Sequence, residues 1–280
     1  MARLVQHNYG KSRVRLAKIT RHPDRHDFTE LTVDTALEGD FETAHLEGDN
    51  SKVIPTDTQK NTVHALALDH ALEDIESFGI ALGRHFVDSF PAIVTTARIT
   101  LNQRLWKRIV LGGQPHHHAF EGAGTERRLA EVIATPGDAH IRAGIRDLHV
   151  LKTTNSAFKG YPRDRYTTLP ETDDRIFATA VNAWWSYRAA PKSFNAAYSA
   201  IRAALVETFA EHMSLSVQQT LFEMGRAALD ACAEMEEIRI SLPNSHYLPL
   251  NFQPFGLANP NVIFLPTDEP HGLIEATIVR

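Results

Sequence analysis

The sequence predicts an α+β fold in which one antiparallel architecture is used twice. Three observations carry that reading. Apolar and polar residues alternate over several stretches, which marks strands. Other stretches repeat apolar residues every three to four positions, which marks amphipathic helices. The order strand-strand-helix-helix-strand-strand then occurs twice, either side of the turn-rich Thr135-Pro136-Gly137-Asp138. The expected domains are residues 1–136 and 137–280, each an antiparallel sheet with paired helices on one face.

Residues 9–20 open the first copy. Arg13 and Arg15 alternate with Val14 and Leu16, after which Ala17 and Ile19 take the apolar phase, so a bulge is expected there. The charged run Arg21–His26 reads as a hairpin turn into a second strand, Phe28–Leu37, with Leu31 and Val33 on one face. Pro55 precedes a helix near 56–67, with Thr56 as N-cap and Gln59 completing a capping box. A helix near 69–87 carries Leu72, Ile75, Phe78, Leu82 and Phe86, and ends before Pro91. Ala97, Ile99 and Leu101 mark a long strand, which Gly112-Gly113-Gln114-Pro115 turns into another near 117–133.

The second copy begins with Asp138–Leu151, whose apolar phase slips from Ile141, Ala143 and Ile145 to Leu148 and Val150. Arg175–Arg188 follows, with Val181, Ala183, Trp185 and Tyr187 on one face. A helix over Ser193–Glu211 carries Phe194, Ile201 and Leu205. Another starts at Ser216, where Gln219 completes a second capping box. Glu237–Leu242 and Gly272–Arg280 supply closing strands. Sheets of this size keep two open edges, a hazard unless paired, so edge-to-edge oligomerisation into a closed barrel is expected.

Composition narrows the class. With 280 residues, 43% hydrophobic and 22% charged, the chain can build its own core. One cysteine, Cys232, on the apolar side of a predicted helix, excludes an intramolecular disulfide and reads as a buried thiol. A net charge of −5 argues against a general nucleic-acid surface. No apolar run reaches membrane-spanning length, no signal-peptide core is seen, and the terminal Thr-Ile-Val-Arg lacks the Ser-Lys-Leu peroxisomal address, so a cytoplasmic protein is expected.

Local chemistry concentrates in Asp49–Ala65, where Thr56, Asp57, Thr58, Lys60 and Asn61 surround a helix start. His116-His117-His118 suggests a metal, but in a strand His117 points away from its neighbours and no further ligand pattern supports them; a solvated strand start is the plainer reading. Lys11, Arg175, and the Asn244-Ser245-His246 strand end are each explicable as surface or loop residues when taken singly. No glycine-rich phosphate loop or nucleophile elbow is present.

Read together, seven collinear segments resemble the urate oxidase (uricase) family. They are Tyr9-Gly-Lys-Ser-Arg-Val-Arg, Asp49-Asn-Ser-Lys-Val-Ile-Pro-Thr-Asp-Thr-Gln-Lys-Asn-Thr-Val, Thr154-Asn-Ser-Ala-Phe-Lys-Gly and Arg163-Asp-Arg-Tyr-Thr-Thr-Leu-Pro-Glu-Thr-Asp-Asp-Arg, then Ser216-Val-Gln-Gln-Thr-Leu-Phe-Glu-Met-Gly, Leu242-Pro-Asn-Ser-His and Thr267-Asp-Glu-Pro-His-Gly-Leu-Ile-Glu-Ala-Thr. The resemblance implies two tandem tunnelling-fold (T-fold) domains per chain, with four chains building barrels around a central tunnel and active sites at subunit interfaces. It implies oxidation of urate by dioxygen and water to 5-hydroxyisourate and hydrogen peroxide, without metal or organic cofactor.

It also implies roles. Phe158 would stack on the purine, Arg175 and Gln218 would grip its two edges, and the Val217 N–H would assist. Lys11, Thr56 and His246 would relay protons, Thr56 and Asp57 coming from the neighbouring chain and closing over the ligand. Asn244 would hold dioxygen above the ring. Lys159 departs from the acidic residue frequent after the stacking phenylalanine. A related T-fold hydrolase or aldolase acting on purines or pterins, and an inactive purine-binding scaffold, are the alternatives. The absence of a Cys/His zinc constellation disfavours the first, and the joint presence of the polar set disfavours the second.

Overall fold

A computed structural model describes residues 2–280. They divide into two compact units, one ending at Gly144 and the other beginning at Ile145. The first holds β1 (Tyr9–Arg21), β2 (His26–Gly39), α1 (Glu42–Leu46), α2 (Thr56–Asp69), α3 (Ile75–Ser89), β3 (Val94–Leu111) and β4 (Gln114–Thr135). Its strands lie in chain order, each antiparallel to the next. The alternation in β2 is the reason it forms: Leu31, Val33, Thr35 and Leu37 are all buried. Leu31, Val33 and Leu37 share a core with Phe78, Leu82 and Phe86 of α3, each contributing about 1.5–3 kcal/mol by burial. Gly79 lets α3 lie close on the sheet, since a Cβ there would meet side-chain atoms of Leu101 and Val132 at 2.8 Å. The β3–β4 turn is the pair Gly112-Gly113, with φ of 58° and 82°, as a two-residue hairpin requires.

The bulge in β1 is real but lies earlier than the hydrophobic pattern suggests. Lys11 pairs with Thr35 and Val14 with Val33, so three steps on β1 face two on β2. Arg13 absorbs the extra residue at φ 59°, and its N–H donates to the Asp34 carboxylate at 2.7 Å. Ala17 and Ile19 keep the outward phase in unbroken register and are exposed. The β5 slip falls where expected: Asp147 has φ 58°, and its N–H donates to Asn182 Oδ1 at 3.1 Å. Each copy thus carries a left-handed residue held by an acidic or amide side chain.

The second unit contains most of β5 (Asp138–Lys152), then β6 (Phe177–Tyr187), α4 (Phe194–Glu211), α5 (Val217–Ala231), β7 (Met235–Pro249) and β8 (Phe264–Val279). Strand order again follows the chain, with β6–β7 and β7–β8 antiparallel. Phe177, Val181, Ala183 and Trp185 of β6 are buried, as are Ile201, Leu205, Leu221, Met224 and Ala228 of the two helices.

Several boundaries differ from expectation for identifiable reasons. Residues 70–74 are not helical: Leu72 adopts φ 54°, and Asp74 caps α3 by accepting from the Ser77 N–H at 2.7 Å. The five-residue α1 buries no side chain, so it has no periodicity to read. The strands β7 and β8 extend beyond the expected ranges, through prolines that normally argue against strand. Arg175 lies just before β6 rather than opening it. Cys232 is the residue that ends α5, and burial pushes its thiol pKa up. No helix among the described residues is long and apolar enough to cross a membrane.

Candidate active site

The second unit contains a hollow of about 330 Å³ that gathers four of the expected residues, Phe158, Arg175, Asn244 and His246. Phe158 is fixed by its backbone, exchanging hydrogen bonds with Thr172 at 2.9 and 3.1 Å. Asn244 and His246 lie two apart on β7 and project into the same space. Between them the register with β8 jumps from Gly272 to Thr267, so β8 loops out opposite the pocket.

Arg175 is the most informative residue. It follows Glu171, Asp173 and Asp174, and a surface ion pair with one of them is the ordinary expectation. Each is engaged elsewhere. Asp173 pairs with Lys159, Asp174 accepts from the Thr154 hydroxyl at 2.9 Å, and Glu171 accepts from the Gly160 N–H at 3.0 Å. No ion pair of Arg175 occurs among the described residues. Its guanidinium lies 5.0 Å from the Phe158 ring centroid, and burial pulls its pKa down. It remains a cation, since arginine does not lose its proton in proteins. A half-buried fork of donors without a carboxylate, beside an aromatic ring, is arranged to receive a flat anion.

Tyr161 stacks on the Phe158 ring with centroids 4.9 Å apart and planes at 17°, and its hydroxyl donates to the Leu169 carbonyl. Tyr161 does not line the pocket, so it backs the ring rather than filling the space.

Val217 and Gln218 form the first turn of α5. Ser216 caps it by accepting from the Gln219 N–H at 3.1 Å, which leaves the Val217 and Gln218 N–H groups without helical partners. The reciprocal half of the expected capping box is displaced by one residue: Gln219 Oε1 accepts from Leu215 rather than Ser216. A backbone bridge between Ser156 and Ser214 ties this helix start to the Phe158 segment. Gln218 itself is exposed and is not among the residues lining the hollow.

Lys11, Thr56 and Asp57 belong to the first unit. The capping box expected at α2 does not form. Pro55 occupies the N-cap position, no side chain caps the helix, and Thr56 is its first residue. Gln59 turns into the core instead, fully buried, accepting from Thr35 Oγ1 at 2.7 Å and donating to the Ile54 carbonyl at 3.3 Å. Thr56 is therefore not used as a cap. Asp57 pairs with Lys60 and accepts from Asn61 at 3.1 Å; Lys60, with a smaller contribution from Lys11, holds its pKa below the usual carboxylate range. Thr35 gave no signal beyond being a polar residue in the buried phase of β2.

The His116 and His118 rings meet edge to face at 4.7 Å, and His118 joins His26, Phe28, Trp106 and Phe120 around a separate aromatic hollow. No group of three or more His, Cys, Asp or Glu side chains among the described residues is placed to hold a metal ion.

Comparison with known proteins gives a consistent result. A family model described as Uricase matches residues 7–133 and 141–275. The uricase of Arthrobacter globiformis is 48% identical over 277 residues, spanning 99% of this chain and 90% of that protein. The uricase of Danio rerio is 38% identical over 285 residues, spanning 99% and 94%. The crystal structure of the Arthrobacter globiformis uricase superposes with a TM-score of 0.94 at 47% identity, covering 100% of this chain and 96% of that one. A Bacillus fastidious uricase structure, at 21% identity and a TM-score of 0.85, shares the fold.

Proposed function

From the premise that this chain belongs to the uricase family and is a urate oxidase, we propose how its residues divide the work. Dioxygen is the oxidant, and 5-hydroxyisourate and hydrogen peroxide are the products. Urate lies against Phe158, with Arg175 pairing with its anionic edge through two parallel N–H donors. Gln218 and the free Val217 N–H hold the opposite edge; its exposure in the isolated chain fits a group that closes on the ligand at an interface. Asn244 orients dioxygen, and later water, above the ring.

Lys11, Thr56 and His246 move protons. Lys11 and Thr56 stand in one unit and His246 in the other, which agrees with a site completed by a neighbouring subunit whose first unit supplies Lys11 and Thr56 together, with Asp57. The assembly we propose is a tetramer of chains, each with T-fold domains 1–136 and 137–280, closing the open strand edges into a tunnel. A deprotonated, electron-rich purine can pass electrons to dioxygen directly, so the protein's part is to remove the proton, hold the two reactants together and admit one water.

The observation that supports this most is the Arg175 guanidinium, half-buried beside Phe158 while every nearby carboxylate is occupied. Metal-free protein should bleach urate's ultraviolet absorbance while consuming dioxygen. Folded, assembled protein that consumes none would overturn the cofactor-free reading. The relatives give no support to a hydrolase, an aldolase or an inactive scaffold.

A further inference from the structure

We propose that Thr35, Gln59 and Tyr9 form a buried clamp whose role is to hold Lys11 and Thr56 at a fixed separation for proton transfer. The proposal rests on the reading of Lys11 and Thr56 as relay members.

The clamp can be followed atom by atom. The Lys11 N–H donates to Thr35 Oγ1 at 3.0 Å. The Thr35 hydroxyl donates to Gln59 Oε1 at 2.7 Å, and the Gln59 amide donates to the Ile54 carbonyl at 3.3 Å. Ile54 is also held from its other side, its N–H donating to the Tyr9 hydroxyl at 2.7 Å. Both backbone groups of Ile54, two residues ahead of Thr56, are thereby tied to β1, the strand that carries Lys11.

The direction of the chain is fixed. A threonine hydroxyl has one proton, and the alternative acceptor, the Lys11 carbonyl, lies at 3.5 Å. Turning the Gln59 amide over would set its oxygen against the Ile54 carbonyl, two acceptors facing each other. The network therefore has one low-energy arrangement, and it runs from the backbone of Lys11 to the loop that presents Thr56.

Its location in the apolar core points to a role beyond stability. Thr35 is 3% exposed and Gln59 fully buried, inside a cluster that includes Val33, Leu37, Ile54 and Val63. For the Thr35–Gln59 contact itself, apolar residues of matching size would serve such a core as well, because buried polar pairs return little net free energy; the two backbone groups they also satisfy are the Lys11 N–H and the Ile54 carbonyl. What a polar chain adds is a single geometry. The Gln59 amide is withdrawn from the helix end it could have capped, and Thr56 is left uncapped and uncommitted.

The test uses Thr35→Val/Gln59→Leu, which swaps the pair for apolar groups, with Thr35→Ser, Tyr9→Phe and Lys11→Met alongside. Each is measured as the assembled enzyme for kcat, KM, anaerobic urate affinity and thermal stability. The double variant leaves the Lys11 N–H and the Ile54 carbonyl without partners, so its Tm is expected to fall by several degrees, while urate affinity holds and kcat falls about 10- to 100-fold. Thr35→Ser should retain wild-type turnover. In a Lys11→Met background the double variant should cause no further loss, because the clamp acts through Lys11. Tyr9→Phe, which removes one hydroxyl only, should lower kcat several-fold and decides the matter if the double variant does not fold. Unchanged kcat in these variants beside a disabled Lys11→Met enzyme would overturn the clamp and leave the relay standing. An undiminished Lys11→Met enzyme would overturn the relay itself. A loss of equal size in the Lys11→Met background would mark the pair as merely structural.

Discussion

Replacing Arg175 by alanine should weaken urate binding about 100- to 1,000-fold and leave the fold as stable as before. The two halves of that expectation come from one geometry. A bidentate, charge-assisted contact is worth about 3–4 kcal/mol when its two hydrogen bonds are counted conservatively. At 1.4 kcal/mol per tenfold, that is the stated change in Kd. In the free protein, however, the guanidinium has no carboxylate to lose, because Asp173, Asp174 and Glu171 are bonded to Lys159, Thr154 and Gly160. Removing it also removes the cost of half-burying an uncompensated charge, which is what pulls its pKa down. The change in unfolding free energy should stay within about 0.5 kcal/mol, or about 1–2 °C in Tm. Arg175→Lys, which keeps the charge and loses the fork, should fall between, at about 10-fold. Affinity is measured by titrating urate under argon, where no turnover consumes it, and stability by thermal unfolding without ligand. An affinity within threefold of wild type, together with a Tm lowered by 5 °C or more, would refute the reasoning, since that pattern belongs to a structural ion pair.

Lys11→Met and Thr56→Ala should each cut kcat by about two orders of magnitude or more, within the usual range for a lost acid–base group, with anaerobic urate affinity nearly unchanged; steady-state kinetics beside the titration checks this. Burial lowers the pKa of His70 and of His212 from 6.5. Above 6.5 both are neutral folded and unfolded and contribute nothing; below it the unfolded chain takes up protons that the folded chain resists, so stability falls as pH drops through that window. His70 Nδ1 also accepts from the Leu72 N–H at 3.0 Å, so His70→Asn should make the decline shallower in denaturant titrations between about pH 7 and 5. Gly225→Ala would bring a Cβ to 2.6 Å from Ile278 Cδ1, and should cost about 1–3 kcal/mol in chemical denaturation.

The duplicated architecture was legible because both copies alternate cleanly where one face is buried, as along Leu31–Leu37 and Thr179–Trp185. Legibility failed where burial stops dictating residue type. The distal parts of β7 and β8 are exposed and proline-bearing, so pairing rather than hydrophobicity holds them. The hydrophobic pattern puts the β1 bulge too late because the apolar Ile19 is an outward-facing residue, 45% exposed, while the displacement occurs at polar Ser12 and Arg13. At the site, residue types and spacing reached Phe158, Arg175, Asn244 and His246 through resemblance, and the structure sets those four around one hollow. That Arg175 has no carboxylate partner was not legible, because it depends on where three separate carboxylates turn. Nor was the fate of Gln59, for which capping and burial are both locally sound, and only the cross-strand hydroxyl of Thr35 decides between them.

Lys11 and Lys18 stand an odd number of positions apart on β1, a spacing that would send them to opposite faces of an unbroken strand. The extra residue at Arg13 cancels that half-period and brings both to the α2 side. Lys18 Nζ donates to the carbonyls of Ala67, Leu68 and His70, where the helix ends, while Lys11 adds its field to Asp57, where it begins. At about 3.3 Å per strand residue and about 1.5 Å per helix residue, the stretch between the lysines and the length of α2 agree at roughly 20 Å. The strand is a ruler laid along the helix, graduated by two ammonium groups. Exchanging Ser12 for another residue leaves the graduation intact. Deleting it forces a choice between anchoring the helix and keeping a lysine at its start, so β1 tolerates changes of letter far better than changes of length.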